Sequence, residues 1–421
     1  MNSKNLKYTY LFILLQVYLI GFFFRENIAG GAENDFTNLT WPVILSFKEN
    51  FFLTLKNYAI FGEGSPPMFH ILNAYLNPFT YSQIAFQGSI TILSLLNIFI
   101  FSNIIQERFK INKIDSYLYG SIFLILPFFR SSSYWGLTEN IGWLFLLISI
   151  KLFLDLKKKN SISRIFFLTL FSSLALYTRP YLVFFPIFLI LVSLINKNLD
   201  LFKKLSFFYI LLALPGIYLL YLWGGSAFIG TGEQKINLFQ KFHNPKFILK
   251  NLVIFSSIFL FYLIPIEIIF FLKEKKFPNP KSIIIFIFFL LTLLLLNHFN
   301  YFDYLKDLNL GGGVILKTIK LFFNNQIIIF LMISAIGLTL MIKYLMISKS
   351  NNILFFSLLI YCFPKFIFQE YFEPLMIILF FSLFDFKYKN LFLFQNNKNI
   401  IIFISYFFTY FCGAFFYRYF L

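Results

Sequence analysis

Apolar runs close to twenty residues long recur along the whole chain, separated by short polar stretches. Crossing about 30 Å of hydrocarbon as helix takes about 20 residues at 1.5 Å each. The pattern therefore predicts an all-α, polytopic helical membrane protein with about thirteen transmembrane helices. They fall near 8–24, 84–105, 116–130, 140–156, 163–178, 181–196, 205–223, 247–272, 282–297, 326–343, 352–368, 373–386 and 399–417. A β-barrel would show shorter alternating segments, because its lumen face is polar. Residues 1–421 read as a single integral-membrane domain, and 25–83 as a long first loop. Within that loop, 44–59 carries apolar residues at helical spacing, which predicts an amphipathic helix lying along the membrane surface.

Composition agrees. Hydrophobic residues make up 59% of the chain and charged residues 13%, against about 45–50% and about 25% in soluble domains. The run 8–24 follows Lys4 and Lys7 but is longer than a signal core and lacks a small-residue cleavage site, so it reads as a retained first helix. Cys362 and Cys412 both lie in apolar runs, which argues against a disulfide framework and a cysteine metal site.

A net charge of +18 would suggest nucleic acid in a soluble protein. Here the positive-inside rule accounts for it: roughly 21 of the 36 Lys and Arg residues fall in the N-terminus and six alternate loops. That places the N-terminus and the basic loops on the cytoplasmic side of a cytoplasmic (inner) membrane. Three less basic loops, near 25–83, 224–246 and 298–325, face outward. The expected partners are membrane lipids, not nucleic acid.

Ionisable residues at span ends on one side of a membrane are functional candidates. The outward ones are few: Glu33, Asp35, Glu63, Arg130, Glu139, Arg179, Lys365, Glu370 and Glu373. Glu33 and Asp35 follow Gly30-Gly31, and either reads as a solvated loop acid or as a general base. Ser65-Pro66-Pro67-Met68-Phe69-His70 reads as a stiff turn, either a plain connection from loop to interface or one that holds His70 or Glu63 towards a site. Thr138-Glu139-Asn140 opens a span, where capping alone would explain the acid. Arg179, in Thr178-Arg179-Pro180, either snorkels to the interface or grips a phosphate with its planar fork. Lys365 to Glu373 is an unusually polar join between two spans. His70, His243 and His298 are scattered over three loops, so a histidine metal site is not indicated, and Gly311-Gly312-Gly313 reads as a flexible loop.

In order and spacing these motifs resemble the GT-C integral-membrane glycosyltransferases, specifically bacterial relatives of protein mannosyltransferases and aminoarabinose transferases. Gly30-Gly31-Ala32-Glu33-Asn34-Asp35 occupies the place of the family's acidic motif. Ser65-Pro66-Pro67-Met68-Phe69-His70 resembles its His-Pro-Pro segment, with Ser65 in place of His. Thr138-Glu139-Asn140 matches the later acid. Leu176-Tyr177-Thr178-Arg179-Pro180 stands for Leu-Thr-Lys-Gly-Pro, with Arg in place of Lys, and Glu370-Tyr371-Phe372-Glu373-Pro374 for a late Arg-Tyr-x-x-Pro. The resemblance covers the first half of the chain by motif and the second by topology.

It implies transfer of a sugar from a polyprenyl-phosphate donor to a lipid, glycan or protein hydroxyl at the outer face, with inversion. No cofactor is expected from the residues, and a divalent metal is open but not indicated. Asp35 or Glu33 would be the base, with Glu139 as a second carboxylate. Arg179, Arg130, Lys365, Glu370, His70 and Glu63 would hold substrate. Two rivals are a polysaccharide polymerase, whose late loops tend to be arginine-rich, and a lipid-oligosaccharide flippase or transporter, which would place charges at mid-span.

Overall fold

The computed structural model describes residues 3–61, 65–156, 161–223, 245–275, 279–305, 311–323, 325–364, 366–386 and 397–420. Among them every regular element is helical. The chain is a helical membrane protein that crosses more than once: among the described residues seven helices are long and apolar enough to span, or eight if one bent pair is counted as a span.

In chain order the α-helices are α1 (Ser3–Phe23), α2 (Ala32–Asp35), α3 (Trp41–Glu49), α4 (Phe51–Lys56), α5 (Met68–Leu76), α6 (Gln83–Phe109), α7 (Lys113–Gly120), α8 (Pro127–Tyr134), α9 (Glu139–Leu156), α10 (Ile162–Thr178), α11 (Phe184–Ile195) and α12 (Leu199–Leu222). They continue with α13 (Pro245–Glu274), α14 (Pro280–His298), α15 (Gly313–Phe322), α16 (Gln326–Leu345), α17 (Lys349–Leu358), α18 (Leu375–Ser382) and α19 (Asn397–Phe420). Their starts follow the capping residues. Ser82 Oγ accepts from Ala85 N, Ser161 Oγ from Arg164 N, Asn198 Oδ1 from Leu201 N and Ser348 Oγ from Asn351 N. Each satisfies one of the helix's orphan N–H groups.

The described residues form two compact units, Met1–Asn237 with Ile404–Leu421, and Leu238–Phe403. In the first, α9 packs along α10, and α10 along α12. The run expected as one span at 116–130 consists of α7, a 3₁₀ turn (Ser121–Ile125) and α8. Pro127 causes the last break: it lacks an N–H and pushes Leu126 into extended backbone, and it then starts α8 at its first position. α8 and α9 meet at 113°. The turn between them needs Gly136, whose φ is +65° and whose missing side chain leaves room for the Phe86 ring.

The first loop is itself helical. A π-helical turn, Phe36–Thr40, joins α2 to α3. The expected surface helix at 44–59 is two helices, broken where Asn50 turns extended and caps α4. Val43, Ile44, Phe47 and Tyr58 are buried, while Phe52, Leu53 and Ile60 are exposed. Exposed apolar side chains of α4 and the turn after it thus stand beside the buried ones of α3.

In the second unit α13 is the central helix, largely buried, and α14 is peripheral, largely exposed. Along one face of α14 the side chains of Ile284, Phe288, Leu291 and Leu295 are exposed, a stripe that suits contact with lipid. α13 and α16 cross closely at small residues. Ser256 Oγ donates to the Ser334 carbonyl at 3.1 Å, and a Cβ on Gly337 would stand 2.2 Å from the Ser256 carbonyl oxygen. Membrane helices, lacking a hydrophobic drive to associate, gain from such close backbone contact. Gly337→Ala is expected to cost about 1–3 kcal/mol by overpacking. It should lower the unfolding temperature of the purified protein; an unshifted transition would refute the close crossing.

Candidate functional site

Where the first span ends, the chain turns inward. Glu26 is buried at 7% exposure and Arg130 at 1%, and the two form an ion pair. Arg130 Nε and Nη2 donate to the two carboxylate oxygens, the former at 2.7 Å. Nη1 and Nη2 also reach the carbonyls of Leu124 and Val17 at 2.7 and 3.2 Å. The rings of Phe411, Tyr134 and Tyr18 surround the guanidinium at 4.7, 5.4 and 5.9 Å. Gly21 makes the space, since a Cβ there would stand 2.5 Å from Arg130 Nη2 and 2.7 Å from Glu26 Oε2. Arg130, expected above to hold substrate, is instead committed to the protein interior. Ser133 is too: its Oγ accepts from Tyr18 and from Asn140 Nδ2. Glu26 was not among the sequence candidates, although a glutamate directly beyond an apolar run is a signal of its own.

The clamp fixes the start of the first loop. Trp135 Nε1 donates to the Glu26 carbonyl at 3.2 Å, and Ala29 N to Ser131 Oγ at 3.1 Å. From there Gly30-Gly31 leads into α2, where Glu33 and Asp35 are exposed. Phe36, fully buried, anchors that helix among Phe86, Trp41 and Trp135, with ring centroids at 6.0, 5.9 and 6.4 Å. Trp135 stands four residues before Glu139, so the acidic helix is docked on the segment that leads to α9.

Arg179 gathers three of the sequence motifs. Its Nη2 is ion-paired with Glu139, its Nη1 donates to Ser65 Oγ at 3.1 Å, and its Nε donates to the Tyr181 hydroxyl at 3.0 Å. Both charged side chains are mostly buried, 14% and 12% exposed. Gly142, one turn into α9, lets the Arg179 stem lie close, since a Cβ there would stand 3.3 Å from Arg179 Cγ. Glu139 Oε2 is buried without a hydrogen-bond partner, and so is the indole N–H of Trp143. His70, fully buried, joins the group through the turn it follows: Tyr58 Oη lies 3.2 Å from His70 Nδ1 and donates to the Ser65 carbonyl at 2.7 Å. Trp223 stacks on Tyr58 at 5.4 Å.

The late motif belongs to the second unit. Glu370 is half-buried and near Lys317; burial pushes the Lys317 amine below the ordinary lysine range and Glu370 opposes this. Glu373, 1% exposed, accepts from the Tyr262 hydroxyl at 3.0 Å, and Gln369 Nε2 donates to Tyr262 Oη at 2.8 Å. Lys250, 5% exposed, stands 3.8 Å above the Tyr304 ring. Gly311-Gly312-Gly313, expected as a flexible loop, is packed: Gly312 N donates to the Ile367 carbonyl at 2.9 Å. All three glycines have positive φ, and a Cβ on Gly311 would meet the Ile367 carbonyl oxygen at 2.5 Å. Lys250 was not among the sequence candidates, although a lysine within an apolar run is itself a functional signal.

Glu63, Lys365 and His243 lie outside the described residues. Among the described residues no three His, Cys, Asp or Glu side chains come together as metal ligands. No family model, curated protein or solved structure matches the chain.

Proposed function

We propose that the protein is a GT-C-like glycosyltransferase that moves a sugar from a polyprenyl-phosphate donor to an acceptor hydroxyl, with inversion. The observation that carries this reading is the meeting of Ser65, Glu139 and Arg179, which come from three separate motifs. A guanidinium held by a carboxylate at the end of an apolar helix suits a lipid phosphate, whose tail lies along the neighbouring spans. In the step, the acceptor oxygen attacks the anomeric carbon while Asp35 or Glu33 takes its proton. The bond from that carbon to the phosphate oxygen breaks, and the leaving phosphate keeps the electron pair. Arg179 stabilises the charge that develops there, at a site protected from bulk water. Glu139 orients Arg179 and the sugar, and no cofactor enters the step.

On this reading α7 with α8 as one crossing, together with α9, α10, α11, α17 and α18, complete about thirteen crossings, with the N-terminus cytoplasmic and the site at the outer face of the inner membrane. The acceptor is a lipid, a glycan or a protein. Asp35→Asn and Glu33→Gln, assayed with purified protein and lipid-linked sugars, are expected to differ: the variant lacking the base loses about a hundredfold in transfer. Full transfer by both would remove the base assignment. One observation favours a transporter instead, namely the burial of Lys250 and Glu373 in the second unit. Transfer by the purified protein in detergent, where no gradient exists, decides between the two.

A further inference from the structure

Within the site, Glu139 Oε2 and Trp143 Nε1 are both buried with no hydrogen-bond partner. They stand at i and i+4 of α9, so their side chains rise from the same face about 6 Å apart. That face is the one turned to Arg179. Glu139 Oε1 holds Arg179 Nη2, and Gly142 between them touches the Arg179 stem and Leu182. The Trp143 ring lies 6.0 Å from that of Tyr181, whose hydroxyl accepts from Arg179 Nε. Trp143 is 1% exposed, so its N–H has given up water without regaining a protein acceptor. Buried polar groups left in this way are costly and uncommon.

The two orphan atoms ask for opposite things. A carboxylate oxygen needs a donor, and an indole N–H needs an acceptor. A phosphate would satisfy the indole and repel the carboxylate. An ammonium would do the reverse. A hydroxyl donates and accepts through one oxygen and answers both. Resting on the glycosyl-transfer reading, we infer that Glu139 Oε2 and Trp143 Nε1 together hold one ring hydroxyl of the donor sugar, beside the phosphate held by Arg179. Trp143 is then a residue that recognises the sugar rather than the lipid. Its aromatic body is buried against Tyr181 and keeps the N–H fixed.

The test compares binding of lipids with and without a sugar. Purified full-length protein in nanodiscs is titrated with a panel of polyprenyl-phosphate hexoses and pentoses and with the bare polyprenyl phosphate. The wild type is expected to prefer at least one sugar-bearing lipid. Trp143→Phe, which keeps an aromatic ring and removes the N–H, should lose about three- to tenfold of that preference. Its affinity for bare polyprenyl phosphate should not change, which also shows that it is folded. On the wild type, one singly deoxygenated form of the preferred sugar should lose the same factor, and Trp143→Phe should not distinguish that form from the parent. Full preference retained by Trp143→Phe overturns the hydroxyl site and leaves the transfer reading standing. So does equal affinity of the wild type for all the lipids. Binding of none of them overturns the transfer reading and this site with it.

Discussion

Arg130→Ala is expected to destabilise the protein by about 3–5 kcal/mol, the cost of removing one partner from a buried ion pair. That is a large share of the roughly 5–15 kcal/mol by which folded proteins exceed their unfolded states. Glu26, 7% exposed, would be left in an apolar site without its cation, and the rings of Tyr18, Tyr134 and Phe411 would lose theirs. The effect is a property of the broken pair rather than of charge as such. The double variant Glu26→Gln with Arg130→Met should therefore recover much of the loss, because apolar or neutral replacements of a whole buried pair are often tolerated. Thermal unfolding and the monodisperse fraction after extraction give the measurement. Equal stability of the single and the double variant would show that the pair does not hold the end of α1 to α8.

That pair also marks what hydropathy could and could not show. Long runs whose neighbours are lipid were legible, because hydrocarbon demands about 20 apolar residues with no exception for local propensity. The expected 84–105, 163–178 and 326–343 lie within α6, α10 and α16. The segment 116–130 is broken into two helices and a 3₁₀ turn, which apolar content does not register because it carries no information on where the chain bends. Pro127 and Gly120 mark the breaks, yet Arg130 is tolerated there only because Glu26, 104 positions away, meets it. Pairings at such separation leave no trace in a hydropathy profile. Arg130 consequently looked like a free cation at a span end.

The candidate site shows the same division. Ser65, Glu139 and Arg179 stood out because each interrupts an apolar stretch, but their union around one guanidinium is a fact of packing. Trp143 was invisible, since a tryptophan in an apolar helix reads as core. Only the absence of a partner for its N–H, seen in three dimensions, sets it apart. The acidic helix lies between these cases. Gly30-Gly31 and the two acids were evident, whereas the anchoring of α2 by Phe36 on Trp135 was not.

The largest functional effect is expected at Arg179. Replacing it with alanine should lower the rate of sugar transfer by about a thousandfold, the upper end of what removal of one transition-state charge contact costs. The loss should fall on kcat, because the charge on the departing phosphate grows only as the bond to the anomeric carbon breaks. Arg179→Lys should restore little. One ammonium on a flexible stem cannot meet Glu139, Ser65 and Tyr181 at once, as the three nitrogens of the fork do. Single-turnover transfer from a radiolabelled lipid-linked sugar separates this from weakened binding, and the unfolding temperature separates it from misfolding. Tyr181→Phe removes one hydrogen bond and keeps the ring and the cation, so it should cost far less. If Arg179→Ala and Tyr181→Phe slow transfer equally, Arg179 positions the fold and does not stabilise the leaving phosphate.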